Sequence, residues 1–295
     1  MQRIATFRLW AALNHPPATH PIFRRTVLLP GSTPRRFISW ASVMIMVVVQ
    51  LGEMIPTVLF LLMPLLLGFT GLLYGVDCAL RVSHAIAREH ENNTYHLLAL
   101  APAGPLGLSW AICTSALYRN REFQQFRAIV RVSLIIGLIV SGFLAVMVMI
   151  GQSEVFVRFA QPAHPTIAHF LGIVGLCAVL YLEYVQSAIL GCIVGMIIPT
   201  YTGSRLDASL FAFGVFLLLQ VLVYLLAFFG AFVVLPSLYH SAGATGFYAD
   251  ISLTALRVGL FFAVRDAVIT LSWRLLISRL NVMAADQDLN LRMAV

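Results

Sequence analysis

Lysine is missing altogether: all 19 basic residues of the 295-residue chain are arginine. A Walker-type phosphate loop needs a lysine to reach the phosphates, so this chain cannot be its own P-loop ATPase. Charge of either sign is also scarce, at 11% of residues against 60% hydrophobic. A soluble domain would need far more charge to cover its surface, so the composition implies an all-α polytopic integral membrane protein. Cysteine is sparse as well. Cys78, Cys113, Cys177 and Cys192 are scattered through apolar segments without metal-ligand spacing, which excludes a disulfide framework and reads as small packing residues. No nucleophile–base pair or metal set stands out, so neither catalytic residues nor a cofactor is expected. The net charge of +7 does not require a nucleic acid, because membrane topology accounts for the arginines.

What the chain does have is long apolar runs, separated by short polar intervals. Residues 1–36 hold six arginines and no acid, which assigns them to the cytoplasmic side. No signal-peptide core is present, since Arg8 interrupts the only apolar run before Pro16. Ile4, Phe7, Trp10 and Leu13 recur every three residues, the pattern of an amphipathic helix lying in the headgroup plane. Beyond it, 37–295 reads as a membrane domain with six spans near 37–54, 57–79, 129–150, 166–200, 210–233 and 251–275. A span needs roughly 20 residues. The run 166–200 is long for one span; one transmembrane element with a possible break near Glu183 and Gln186 is the preferred reading, whereas 108–118 is too short to cross and suits a helix buried against the membrane face. Residues 235–250 read as an external loop. Segment 81–131 carries another six arginines, so six spans with both termini inside balance the charge best.

The longest polar interval, 82–107, is the natural place for the chain to meet a soluble partner. Ala85 to Glu91 reads as helix. Asn93 tolerates the left-handed backbone that closes a helix, and Thr94 stands where a second short helix takes its N-cap. Pro102, Gly104 and Pro105 stop it. Within this interval HENNTYH (90–96) fails as a zinc-protease signature, because the residue four beyond His90 is Thr94 and not a second histidine. Asn92-Asn93-Thr94 is a formal glycosylation sequon, silent on a cytoplasmic segment.

Charges inside spans are costly and mark either function or a structural pair. Here they are Asp77, Glu183, Arg257, Arg265 and Asp266. Asp77 is expected to snorkel at the end of the second span. Arg265 and Asp266 are adjacent, point apart on a helix and need separate partners. Glu183 is the expected partner of Arg265.

Residues 89–102, E-H-E-N-N-T-Y-H-L-L-A-L-A-P, resemble a family pattern: the stretch joining the second and third spans of the type-2 export permeases of ATP-binding-cassette (ABC) transporters. The consensus is close to E-R-E-x-G-T-x-E-x-L-L-x-x-P. Glu89, Glu91, Thr94, Leu97, Leu98 and Pro102 fall at compatible spacing, while Asn93 replaces a preferred glycine and His96 a preferred glutamate. The six-span plan and the basic N-terminal helix are also similar. The resemblance implies a membrane permease subunit that pairs with a second permease subunit, sits among membrane lipids and binds a separate ABC ATPase. It also implies a prokaryotic plasma (inner) membrane. Residues 85–100 would be its coupling helix, with Glu89, Glu91, Asn93, Thr94, Leu97, Leu98 and Pro102 at the ATPase contact. The competing reading is a non-transporting membrane scaffold or accessory subunit that keeps the same fold.

Overall fold

Buried residues recur three and four apart from Tyr74 to Ala87: Tyr74, Cys78, Ala79, Val82, Ser83, Ile86 and Ala87. That spacing puts them on one stripe of a helix, and they lie within a single helix, α2 (Pro56–Glu91). The computed structural model describes residues 5–15, 23–24, 56–95, 104–119, 164–241, 243 and 247–280, the stretches 56–70, 164–178, 180 and 247–251 as backbone only. Every regular element among them is helical: α1 (Ala5–Asn14), α2, α3 (Gly104–Tyr118), α4 (His164–Ile197) with a 3₁₀ turn (Ile198–Thr200), α5 (Arg205–Phe229) with a π segment (Gly230–Val234), α6 (Leu235–Ser241) and α7 (Phe247–Arg279). The expected spans near 37–54 and 129–150 lie outside the described residues.

Ala85 to Glu91 is helical as expected, and it is the end of α2, which runs unbroken to Glu91. Its buried stripe keeps helical period past the apolar stretch, so nothing ends the helix there. The run 166–200 is a single element, as its count as one span expected: α4 is continuous, and Glu183 and Gln186 are buried within it. One expectation needs correction: residues 235–241 are not loop. The helical path of α5 continues through the π segment into α6, as far as Ser241.

The chain divides into two compact units, Met1–Gln125 with Tyr184–Gln220 and Asp266–Val295, and Phe126–Glu183 with Val221–Arg265. In the first unit α2 packs on α3, whose Leu106, Leu108, Ile112 and Leu117 are buried. This is the short apolar stretch 108–118, and its helix is covered on nearly every side. Against α4 the approach of α2 is closer still. A Cβ added to Gly195 would stand 2.8 Å from both the Ala79 carbonyl oxygen and Val82 Cβ, and one added to Gly191 would fall on the Gly75 carbonyl. Only glycine permits that backbone contact. Gln220 of α5 donates to Ser187 of α4 at 3.1 Å.

Helix α1 is held at both ends. The Asp266 carboxylate accepts the Thr6 backbone N–H at 3.1 Å and the Thr6 hydroxyl at 2.5 Å. It satisfies one of the four unpaired donors of the helix start with a charge of favourable sign. At the other end the Tyr118 hydroxyl lies 3.0 Å from both the Leu13 and Asn14 carbonyls. Leu9, Ala12 and Leu13 are buried and Trp10 meets Tyr184 edge-on at 5.8 Å, while Phe7 is exposed. The helix expected in the headgroup plane therefore buries a face against its own unit, and Phe7 and Leu13 do not share one.

In the second unit the π segment leaves the Ala231 carbonyl to Arg257, whose Nε donates to it at 3.1 Å while the guanidinium covers Phe232 at 5.0 Å. A π turn shifts the backbone ladder by one residue, and here Arg257 takes the acceptor. Tyr239 of α6 donates to Ser252 of α7 at 2.8 Å.

Candidate functional site

Asn93 is the turning point of the polar interval. Its φ of +53° is the one left-handed value at a non-glycine residue among those described. Asparagine reaches that region at lower cost than other side chains because its short amide bonds locally. Asn92 and Asn93 are exposed and end α2, with backbone bonds from Asn92 N to Arg88 O and from Asn93 N to His90 O. Thr94 and Tyr95 resume helical backbone. The Thr94 hydroxyl reaches back rather than forward: it lies 2.6 Å from a Glu89 carboxylate oxygen and 3.1 Å from the Glu89 carbonyl. Those bonds lock the turn against the helix it follows. Leu97, Leu98 and Pro102 lie outside the described residues.

Two contacts of Tyr95 fix the chain after the turn. His90 stacks on Tyr95 at 4.0 Å, and the Tyr95 hydroxyl bonds Ser109 of α3 at 2.9 Å. Ser109 in turn donates to the Pro105 carbonyl, so the Tyr95 hydroxyl is the donor in the shared bond. Burial raises the Tyr95 pKa above the ordinary tyrosine range, against the lowering influence of Ser109. Pro105 lies in the first turn of α3, after Gly104 at a φ of +66°. It opens this helix, where a missing N–H costs nothing.

The acids of the turn have internal partners. Glu89 holds Thr94. Glu91 forms an ion pair with the Arg205 guanidinium, and its other oxygen accepts the Arg205 backbone N–H at 2.7 Å. Arg205 is the first residue of α5. That helix is also capped locally, since the Ser204 hydroxyl accepts the Asp207 N–H at 3.2 Å and donates to the Asp207 carboxylate at 2.7 Å. Glu91 and Ser204 thus satisfy two different donors of the same helix start. Nothing in the spacing of 85–105 pointed to residue 205. The legible signal was local, the S-x-x-D pattern of 204–207 ahead of an apolar run. From the other side Arg279, the last residue of α7, stands over the Tyr201 ring at 4.5 Å.

Asp77 pairs with Arg81 one turn on at 2.7 Å. His84 is held below the ordinary histidine range by desolvation first, then by Arg205 and Arg88, with Glu91 opposing.

In the second unit Glu183 and Arg265 meet as expected, with Nη1 and Oε1 3.9 Å apart and both side chains almost wholly buried. The Tyr224 hydroxyl donates to the same Glu183 oxygen, and the Arg265 guanidinium lies 5.5 Å from the Tyr224 ring and 5.3 Å from the Phe261 ring. Tyr224 and Phe261 were not legible as members of this cluster, because any aromatic in an apolar helix reads as packing. Asp266 has its own partner in Thr6, as its position next to Arg265 required.

Two helical stretches, Tyr181–Thr200 and Arg205–Ser241, are long and apolar enough to cross a membrane. They differ in surroundings. The first is buried in the protein, whereas the second presents Leu206, Leu210, Leu218 and Phe228 at 78%, 69%, 69% and 63% exposure. So long an apolar face is a liability in water and a match to hydrocarbon. The class that fold and site define is an all-helical chain, over its described residues, with two helices fit to span a bilayer. No family model, curated protein or solved structure matches the chain.

Proposed function

We propose that this chain is the membrane permease subunit of an export-type ABC transporter, driven by a separate ATPase through the polar turn that follows α2. The observation that carries the reading is the mechanical form of that turn. A continuous helix joins the apolar stretch of α2 to Glu91, and Asn93 closes it in the left-handed region, where the resembling family prefers glycine. Force applied at Asn92 and Asn93 would travel along α2 without a hinge and shift helix packing between inward- and outward-facing arrangements. The reading includes six spans, cytoplasmic termini, a prokaryotic inner membrane and a second permease subunit as partner.

One observation favours the scaffold reading. Glu89 and Glu91, the acids that resemble the family's contact residues, are both engaged within the chain. The exposed members of the turn are the better probes of a partner. Asn92→Trp and Arg88→Glu alter exposed side chains and leave the Glu91–Arg205 and Glu89–Thr94 contacts in place. Co-purification from membranes with a candidate ABC ATPase tests the proposal. Expected are normal insertion of both variants and loss of ATPase retention. Wild-type retention in both, or no retention by the wild-type chain, leaves the scaffold reading.

A further inference from the structure

Resting on the permease reading, we propose that Glu91 and Arg205 are a positioning pair that makes the polar turn and the start of α5 one rigid corner, so that a load on the turn moves α5 together with α2. Three observations converge. First, Glu91 grips residue 205 twice, through the guanidinium and through the backbone N–H that opens α5. A carboxylate at a helix start binds both the free donor and the positive end of the helix dipole, so the contact holds the axis of α5 and not merely one side chain. Second, the turn between α4 and α5 is gripped from another direction by Arg279 over Tyr201. It is also short: the 3₁₀ residues Ile198–Thr200 lead to the Ser204 cap within a few positions, and Tyr201 N bonds back to Ile198 O. Third, Asn92 and Asn93 of one segment and Tyr201 and Gly203 of the other are all exposed, on either side of the Glu91–Arg205 contact in their segments. A partner seated on the turn after α2 therefore stands beside the turn before α5.

The consequence is a division of labour between the two acids. Glu89 shapes the turn locally through Thr94. Glu91 joins it to a helix more than a hundred residues further along the chain. Loss of Glu91 would leave α2, Asn93 and the exposed surface intact while uncoupling α5. A purely structural role would weaken folding and partner retention together, whereas a positioning role separates retention from response.

The first measurement needs no partner. Spin labels at Asn92→Cys and Gly203→Cys, in a background lacking the four native cysteines and reconstituted in phosphatidylethanolamine–phosphatidylglycerol nanodiscs, report the width of the distance distribution across the corner. Glu91→Gln is expected to broaden it roughly twofold, since a part-exposed ion pair and a helix-start contact are weakened together, and the exchange Glu91→Arg with Arg205→Glu to recover only part of the narrowing, because arginine at 91 restores an ion pair but cannot accept the backbone N–H of residue 205. Equal widths in the wild-type and Glu91→Gln chains overturn the proposal. The second measurement uses the candidate ATPase: Glu91→Gln should retain it on membranes but lose permease-dependent change in ATP turnover, with partial recovery in the exchange variant. Retention with unaltered response also overturns the positioning role. Failure of the wild-type chain to retain any ATPase defeats the permease reading instead, and the rigid corner is then decided by the spin-label widths alone.

Discussion

Removing Glu183 or Arg265 singly should damage the protein more than removing both. The two groups are 3.9 Å apart with side chains 5% and 2% exposed. At an effective dielectric near 20 their attraction is about 4 kcal/mol, set against a desolvation cost of several kcal/mol for each ion. The net worth of the pair is therefore small, but either ion left alone keeps its desolvation cost without the compensating attraction. Glu183→Gln and Arg265→Met are each expected to cost ~3–5 kcal/mol, and the double variant less than either single. Tyr224 sharpens the argument. It donates to the Glu183 oxygen that faces Arg265, so Tyr224→Phe removes one charge-assisted bond, about 1.5–3 kcal/mol, while leaving an aromatic face under the guanidinium. The assay is thermal unfolding of the detergent-purified chain across the double-mutant cycle, with membrane yield as a second readout. Additivity of the two single effects within about 0.5 kcal/mol would show that the residues do not interact and would refute the reasoning.

Three further expectations follow from the first unit. Asn93→Gly should leave thermal stability unchanged or slightly raised, whereas Asn93→Val should lower it by about 1–2 kcal/mol, because a β-branched residue fits a φ of +53° poorly; equal melting points for the two would contradict the left-handed turn. Gly191→Ala should destabilise by roughly 1–3 kcal/mol, since the added methyl meets the backbone carbonyl of Gly75 and not a side chain able to rotate away, and a stabilised or neutral variant would mean that α2 and α4 are not in backbone contact. His84 titrates below the ordinary histidine value of 6.5, by desolvation and then by Arg205 and Arg88. A folded pKa below the unfolded one means that its stabilising contribution is complete above pH 6.5 and is lost as the pH falls through the folded value. Glu91→Gln removes the one opposing influence and should move the imidazole NMR titration lower still; an upward move would contradict the placement of Glu91 near His84.

Composition and periodicity determined a good deal here. With so little charge the chain has too few polar side chains to face water on all sides, and that holds whatever the packing. Helix over 85–91, the left-handed tolerance of Asn93 and the opposed directions of Arg265 and Asp266 are local properties of backbone geometry, readable without any neighbour. The partnership of Glu183 with Arg265 was legible for a related reason: few charges occur in the apolar runs, so few partners are available. Other features depended on segments far apart in the chain. Helix α2 continues past its apolar stretch because α3 and α4 cover the stripe beyond it, and a polar composition does not disclose that cover. Asp266 finds its partner 260 residues away at Thr6, and Glu91 finds Arg205 across 114. In each case the acid seeks an unpaired N–H at a helix start. Many helix starts in this chain offer such donors, with nothing in the local sequence to choose among them, and packing alone brought these two within reach.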